Sequence, residues 1–92
     1  MHAVFTNVDI ASGEFENARK HLHEMVVPGV SKAPGFVRGF WTINAERSIG
    51  TSMVLFNTKS DAESSLQQMR SNPMPPGVKL NSAEIREVIA EA

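Results

Sequence analysis

Cysteine and tyrosine are both absent from this chain of 92 residues. Without cysteine there is no disulfide, no thiolate metal site and no cysteine nucleophile, which is compatible with a reducing cytoplasm. Nine Lys and Arg residues against ten Asp and Glu leave a net charge of −1, so the basic surface typical of nucleic-acid and membrane binding is missing. No segment approaches the roughly 18 apolar residues of a membrane span. We therefore expect a cytoplasmic protein that binds neither nucleic acid nor membrane.

The length of the chain predicts a single domain that covers residues 1–92. A chain of this size is near the limit at which one hydrophobic core is adequate. Help from a partner chain is therefore plausible from length alone.

Two strand-like runs, residues 36–43 and 49–58, dominate the sequence and are apolar on both faces. One parity holds Phe36 and Phe40 and, in the second run, Val54 and Phe56; the other holds Val37, Trp41 and Ile43 and then Ile49, Met53 and Leu55. Side chains alternate between the faces of a sheet. A sheet built on such strands needs cover on each side.

The remaining segments alternate between strand and helix patterns. Residues 2–10 alternate as a strand, and helical spacing follows from Glu14, where Pro28 and Gly29 predict a kink. Residues 44–48 form a polar hairpin loop. Ser60 to Glu63 matches a capping box and starts a second helix that runs to about residue 70. Residues 78–90 are predicted as a strand, with a helix as the alternative.

This order, β-α-β-β-α-β, predicts an α+β fold of the ferredoxin-like type, with a four-stranded antiparallel sheet and both helices on one face. The uncovered face would expose several hundred Å² of apolar surface, against roughly 300–600 Å² for the largest patch on a typical monomer. Hiding it against a second copy is worth on the order of 10 kcal/mol before association costs. The sequence therefore predicts a homodimer in which sheet packs on sheet.

The segment PGFVRGFWT at residues 34–42, the run that ends at Phe56 before a Ser-x-x-Glu helix, and the closing EIREV resemble the dimeric α/β-barrel superfamily. This group includes antibiotic-biosynthesis-type monooxygenases and stress-responsive barrel proteins. The resemblance spans nearly the whole chain and implies a dimeric α/β barrel. It implies less about activity, because the superfamily contains cofactor-free oxygenases, haem degraders, isomerases and proteins without a known activity.

Five residues are candidates for a site between sheet and helices. Asn7 matches the position of an asparagine that lines the pocket in the related monooxygenases and haem degraders; the alternative is a structural amide at the end of its strand. Arg38 could stabilise a substrate anion, or pair with a glutamate near the C-terminus. Trp41, beside Phe5 and Phe56, could form an aromatic wall for a small ligand, or simply belong to the core or the dimer interface.

Two departures from the related enzymes bear on cofactors. The tryptophan that those enzymes carry at the end of the third strand is replaced by Phe56, and the histidine that ligates haem iron on the following helix has no equivalent, because no histidine follows His23. His21 and His23 point about 200° apart on a helix, so they cannot share an ion. We expect no haem, no metal and no other cofactor.

Three functions remain open at this stage. The first is a cofactor-independent monooxygenase, or a related isomerase or cyclase, that acts on a small aromatic or polyketide-like substrate. The second is a dimer that binds a small molecule without chemistry. The third is a purely structural dimerisation module. An RNA-recognition domain shares this element order, but its aromatic stacking positions are occupied here by Thr51 and Met53.

Overall fold

A computed structural model describes residues 1–92 and contains one antiparallel sheet whose strands lie in the order β2-β3-β1-β4. Its elements are β1 (His2–Ile10), α1 (Phe15–His21), a π-helical segment (Leu22–Val26), α2 (Val27–Val30), β2 (Phe36–Ile43), β3 (Ile49–Phe56), α3 (Lys59–Ser71) and β4 (Val78–Glu87). This is the predicted ferredoxin-like fold. The C-terminal segment is a strand, not a helix, and it ends three residues earlier than predicted.

The first helical run, residues 15–30, continues through Pro28 instead of ending there. The backbone N–H of Val27 bonds to the carbonyl of Leu22, five residues back, which is the π-helical pattern. Pro28 has no N–H and its ring crowds the preceding turn, so an α-helical path would strain the chain at this point. The wider π turn directly before the proline accommodates it, and one further turn of helix follows to Val30.

The second helix begins earlier than the predicted capping box. Thr58 is the N-cap, and its side-chain oxygen accepts a hydrogen bond from the backbone N–H of Asp61 at 3.1 Å. The spacing that led to Ser60 also fits Thr58 with an acidic residue three positions later, and the structure uses this earlier pair. The helix therefore starts at Lys59 and ends at Ser71.

Strand register divides the side chains between two faces. The helix side carries Val4, Val54 and Phe56, which form the buried core with Ala62 of α3. At one end of the helix side, a row contains Phe36, Phe56, His2 and Glu87. Three further rows cross it from β2 to β4: Gly39, Val54, Val4 and Ile85; then Trp41, Ser52, Thr6 and Ala83; then Ile43, Gly50, Val8 and Leu80. Three rows cross the other side, the open face, in the same direction: Arg38, Leu55, Ala3 and Arg86; then Phe40, Met53, Phe5 and Glu84; then Thr42, Thr51, Asn7 and Ser82.

A bulge in β2 corrects one feature of the predicted pattern. The pairing register with β3 shifts between Phe36 and Arg38, which leaves Val37 as the extra residue. Simple alternation assigned Phe36 and Phe40 to the same face. In the structure the bulge reverses the parity, so that Phe36 packs edge-to-face on Phe56 with the ring centroids 6.3 Å apart, while Phe40 lies on the open face.

Candidate functional site

A pair of hydroxyl groups lies at the centre of the helix side. Thr6 and Ser52 face each other across β1 and β3, both are buried, and their side-chain oxygens are hydrogen-bonded to each other. Their nearest inward neighbours on the same strands are Val4 and Val8 on β1 and Gly50 and Val54 on β3. Buried hydroxyl groups are normally hydrogen-bonded to a partner. Thr6 and Ser52 meet this requirement by bonding to each other.

Trp41, the only tryptophan, flanks the hydroxyl pair in the same row. Its indole folds back over Gly39, where an added Cβ would lie 2.6 Å from the ring atom Cη2. Any side chain at position 39 would therefore occupy the volume of the indole. The indole is half-buried, so it lies between the core and the less tightly covered part of the helix side.

The two helical layers cover the sheet unequally. The helix α3 approaches β1, β3 and β4 closely, whereas the first helical run makes few close approaches to the sheet. No residue of that run is buried, and inward apolar residues such as Leu22 and Val26 stay partly exposed. The first helical run therefore covers the sheet less closely than α3 does, although Thr6 and Ser52 beneath the helices are buried.

Charged side chains are absent from the three helix-side rows that start at Gly39, Trp41 and Ile43. Arg70 of α3 reaches the end of the hydroxyl row, but its guanidinium donates to the backbone carbonyl of Ala83 at 3.0 Å on the outer strand β4. The polar atoms available near Trp41 are consequently hydroxyl groups and the indole N–H. Such a surface can hydrogen-bond a ligand but provides no charge for acid, base or ion-pair chemistry.

Asn7 lies on the open face, not on the helix side. Its amide oxygen accepts a hydrogen bond from Thr51 Oγ1 at 2.7 Å and its amide nitrogen donates to Ser82 Oγ at 3.3 Å. Thr42 Oγ1 extends this row by donating to the backbone carbonyl of Thr51 at 2.7 Å. Asn7 is thus the centre of a polar belt that crosses the open face.

Arg38 and Phe5 also lie on the open face. Arg38 is exposed on the edge strand β2, at the opposite edge of the sheet from Glu84 on β4, so the alternative of an ion pair between them within one chain is excluded. Glu84 pairs instead with Arg86, whose guanidinium carbon lies 4.1 Å from the centroid of the Phe5 ring. Phe5 is therefore covered by a cation on this face.

The structure does not bring the five predicted site residues together. Asn7, Arg38 and Phe5 share the open face, whereas Trp41 and Phe56 share the helix side. Phe56 has no exposed surface and packs within the core. Of the two on the helix side, only Trp41 is half-buried and lies in the row of the hydroxyl pair.

The location of Asn7 leads to a direct prediction. Replacing Asn7 with alanine removes two side-chain hydrogen bonds, and we expect the free energy of unfolding to fall by about 1–2 kcal/mol. Each kcal/mol corresponds to a fall in melting temperature of about 4–8 °C in a domain of this size. The fluorescence emission of Trp41 should stay unchanged, because the two residues face opposite sides of the sheet. Thermal denaturation and the emission spectrum measure both effects; a shifted emission maximum would contradict this placement.

Nowhere do three or more His, Cys, Asp or Glu side chains form a group that could hold a metal ion. None of the helices has the length and apolar character needed to cross a membrane.

Comparison with known proteins supports the fold. No family model and no curated protein sequence matches the chain. Among solved structures, the chain is similar to a mutant of MhuD whose crystal structure has two manganese protoporphyrin IX molecules bound per active site. The match covers 100% of this chain and 98% of that chain, with a TM-score of 0.67 and 11% sequence identity. At this identity the likeness confirms the fold expected from the resemblance to dimeric α/β-barrel proteins.

Sequence reasoning missed Thr6, Ser52 and Gly39. The signal was present, because Thr6 alternates with Val4 and Val8, and Ser52 shares the parity of Val54 and Phe56. Each of the two strands has a polar residue at a position that alternates with apolar ones. If the register places these two residues opposite each other, they form a buried polar pair. The register of β1 against β3, which places the two side by side, could not be derived from either strand alone.

Proposed function

We propose that this chain forms a homodimer that binds a small, flat aromatic molecule between the first helical run and the helix side of the sheet. The observation that carries the proposal is the position of Trp41 in the same sheet row as the hydroxyl pair of Thr6 and Ser52, under a helical layer of which the first run approaches the sheet less closely than α3 does. Ligand sites are mostly apolar, with a few polar groups that fix the orientation of the ligand. A half-buried indole provides a face for stacking.

The exposed apolar residues of the open face support the dimer. Phe40 is 52% exposed and Met53 39%, and both lie in the row of the partly buried Phe5. Ile49, 45% exposed, lies on the same face beyond the row of Thr51 and Asn7. Large apolar side chains that are contiguous on one face of a sheet are typical of an interface. A second copy covers this face with the same surface, which is the arrangement of a closed two-fold dimer.

The MhuD comparison supports a flat ring system as the class of ligand, because that structure has manganese protoporphyrin IX bound in its active site. Haem ligation is not part of the proposal, since the helix-side rows around Trp41 contain no histidine. The proposed ligand is therefore an aromatic or polyketide-like molecule bound without a cofactor. The proposed location is the cytoplasm.

Cofactor-independent monooxygenation of the bound molecule is the second candidate. The hydroxyl pair favours it, because a donor held in a water-poor site stabilises an oxyanion that develops on a ring oxygen. Binding without chemistry ranks first, since no charged residue lies in the rows around Trp41 and the predicted catalytic residues Asn7 and Arg38 face the other way.

Fluorescence of Trp41 tests binding without interference, because the chain has no other tryptophan and no tyrosine. We expect titration with naphthalene-sized aromatic compounds to quench the emission in a saturable manner, and native mass spectrometry to show one ligand per subunit. No quenching by any compound of this class would contradict the proposal. Oxygen uptake with hydroxyquinones and anthrones separates the two candidates: binding without uptake supports the first, and uptake that is lost on heat denaturation supports the second.

A further inference from the structure

We propose that a depression between the first helical run and the loop before β4 binds one soft metal ion, Cu(I), through the imidazole of His21 and the thioethers of Met25 and Met74. The three side chains line the same depression, which has a volume of about 380 Å³. The expectation that the chain binds no metal rested on histidine, carboxylate and thiolate ligands and did not include thioethers. The site is separate from the proposed binding of an aromatic molecule and does not depend on it.

Two of the ligands belong to the first helical run. His21 is the last residue of α1, and Met25 follows four residues later in the π-helical segment. Residues four apart on a helix lie on the same face, so the imidazole and the thioether are neighbours. Met25 is 64% exposed, although a large apolar side chain on a helix normally packs against the core. Its sulfur is therefore accessible to an ion from solvent.

The third ligand belongs to the loop that lines the other side of the depression. Met74 is half-buried within residues 73–76, where the other three residues are prolines. Proline fixes the backbone dihedral φ, and Asn17 Nδ2 donates a hydrogen bond to the carbonyl of Pro76 at 3.4 Å. A stiff loop therefore holds Met74 beside the helix. The unbranched methionine side chains, each with three rotatable bonds, can adjust their sulfur atoms to an ion.

The three ligands determine the class of metal. Thioethers are soft ligands that select Cu(I), and imidazole also suits copper. Structural zinc sites use four thiolate, imidazole or carboxylate ligands, and Ca²⁺ and Mg²⁺ need several oxygen ligands. Lys20 and Glu24 also line the depression and carry opposite charges, so there is no excess of negative charge for a hard cation. One nitrogen and two sulfur ligands fit a soft monovalent ion.

Titration with Ag(I) tests the site, because Ag(I) has the ligand preference of Cu(I) and keeps its oxidation state in buffer. The absence of cysteine removes competing thiolates. We expect isothermal titration calorimetry to show one Ag(I) per chain, bound at least about tenfold more tightly than Zn(II). The chain has five methionines, and we expect the methyl NMR signals of Met25 and Met74 to shift on binding while that of Met53 stays unchanged.

Three single substitutions each remove one ligand. Met25→Leu and Met74→Leu keep the size of the side chain but remove the sulfur, and His21→Gln removes the imidazole. Loss of a residue that only supports a metal ligand costs about 10–100-fold in affinity, so we expect each variant to bind Ag(I) at least about tenfold more weakly. The matched controls are Met53→Leu on the open face and His23→Gln, an exposed histidine of the same helical run. Both should bind Ag(I) like the wild type.

The outcomes decide the proposal in either direction. One Ag(I) per chain, with an affinity that falls in all three ligand variants and in neither control, supports the site. The proposal is overturned if any of the three variants keeps the wild-type affinity, or if a control loses as much as the variants do. Absence of Ag(I) binding, or several ions per chain that shift all the methionine signals alike, also overturns it.

Discussion

Replacing Met53 with aspartate should convert the proposed dimer into a monomer. Met53 lies at the middle of the open face, between Phe5 on β1 and Phe40 on β2. An unpaired carboxylate buried in an apolar interface costs several kcal/mol, and a two-fold dimer contains the change twice. We expect the dissociation constant to rise at least about a thousandfold, which corresponds to about 4 kcal/mol.

Sedimentation velocity at micromolar concentration measures this change, because one chain has a mass of 10.1 kDa and the dimer twice that. Met25→Asp is the matched control: Met25 is 64% exposed and lies on the outer side of the first helical run, in a depression beside residues 73–76. It should leave the dimer intact. A wild-type chain that sediments as a single 10.1 kDa particle would refute the proposed dimer, whereas a Met53→Asp variant that stays dimeric would refute the open face as its interface.

The elements of the fold could be predicted because local chemistry and periodicity agree in most of them. In three places the residue types and their spacing favour the same local structure. These are the alternation in β1, the polar loop between β2 and β3, and the break at residues 72–73. The capping signal located the second helix to within two residues, since it identified Ser60 and the cap is Thr58. An interruption of the α-helical pattern next to Pro28 was also predictable, because proline cannot donate to the preceding turn.

The candidate site was harder to predict because it depends on which parity of each strand faces the helices. Thr6 and Asn7 are neighbours in a strand, so the sequence places them on opposite faces of the sheet. Both faces contain apolar residues, however, so the sequence does not show which face the helices cover. The bulge at Val37 then reversed the parity within β2. A register shift of one residue transfers every later side chain to the other face, and this is why residues that were grouped by type lie on both sides of the sheet.

The polar belt through Asn7 gives the open face a feature that area alone does not. Thr51, Asn7 and Ser82 satisfy one another within the chain, so a partner subunit can cover them without leaving an unpaired group. Apolar side chains on an interface tolerate many orientations of the partner, whereas a polar row must meet polar or solvated surface. The belt therefore restricts how a second copy can be seated on this face.

The second large effect is expected for Gly39→Ala, a change of one methyl group. The new Cβ would lie 2.6 Å from Cη2 and 2.8 Å from Cζ3 of the Trp41 indole, which is shorter than any tolerable contact, so the ring must leave its position. We expect a red-shifted emission of Trp41, a loss of about 1–3 kcal/mol of stability from overpacking, and at least a tenfold loss of affinity for a naphthalene-sized aromatic compound, equivalent to about 1.4 kcal/mol.

Gly29→Ala is the control for the same chemical change elsewhere. An added Cβ at Gly29 meets nothing within 4 Å, and alanine is favoured over glycine inside a helix by roughly 0.5–1 kcal/mol, so this variant should be at least as stable as the wild type and bind equally well. The comparison isolates the indole, since both variants add one methyl group to a glycine. Unchanged emission and affinity in Gly39→Ala would show that Trp41 is not the wall of the site, because a ring that is displaced without effect cannot hold the ligand.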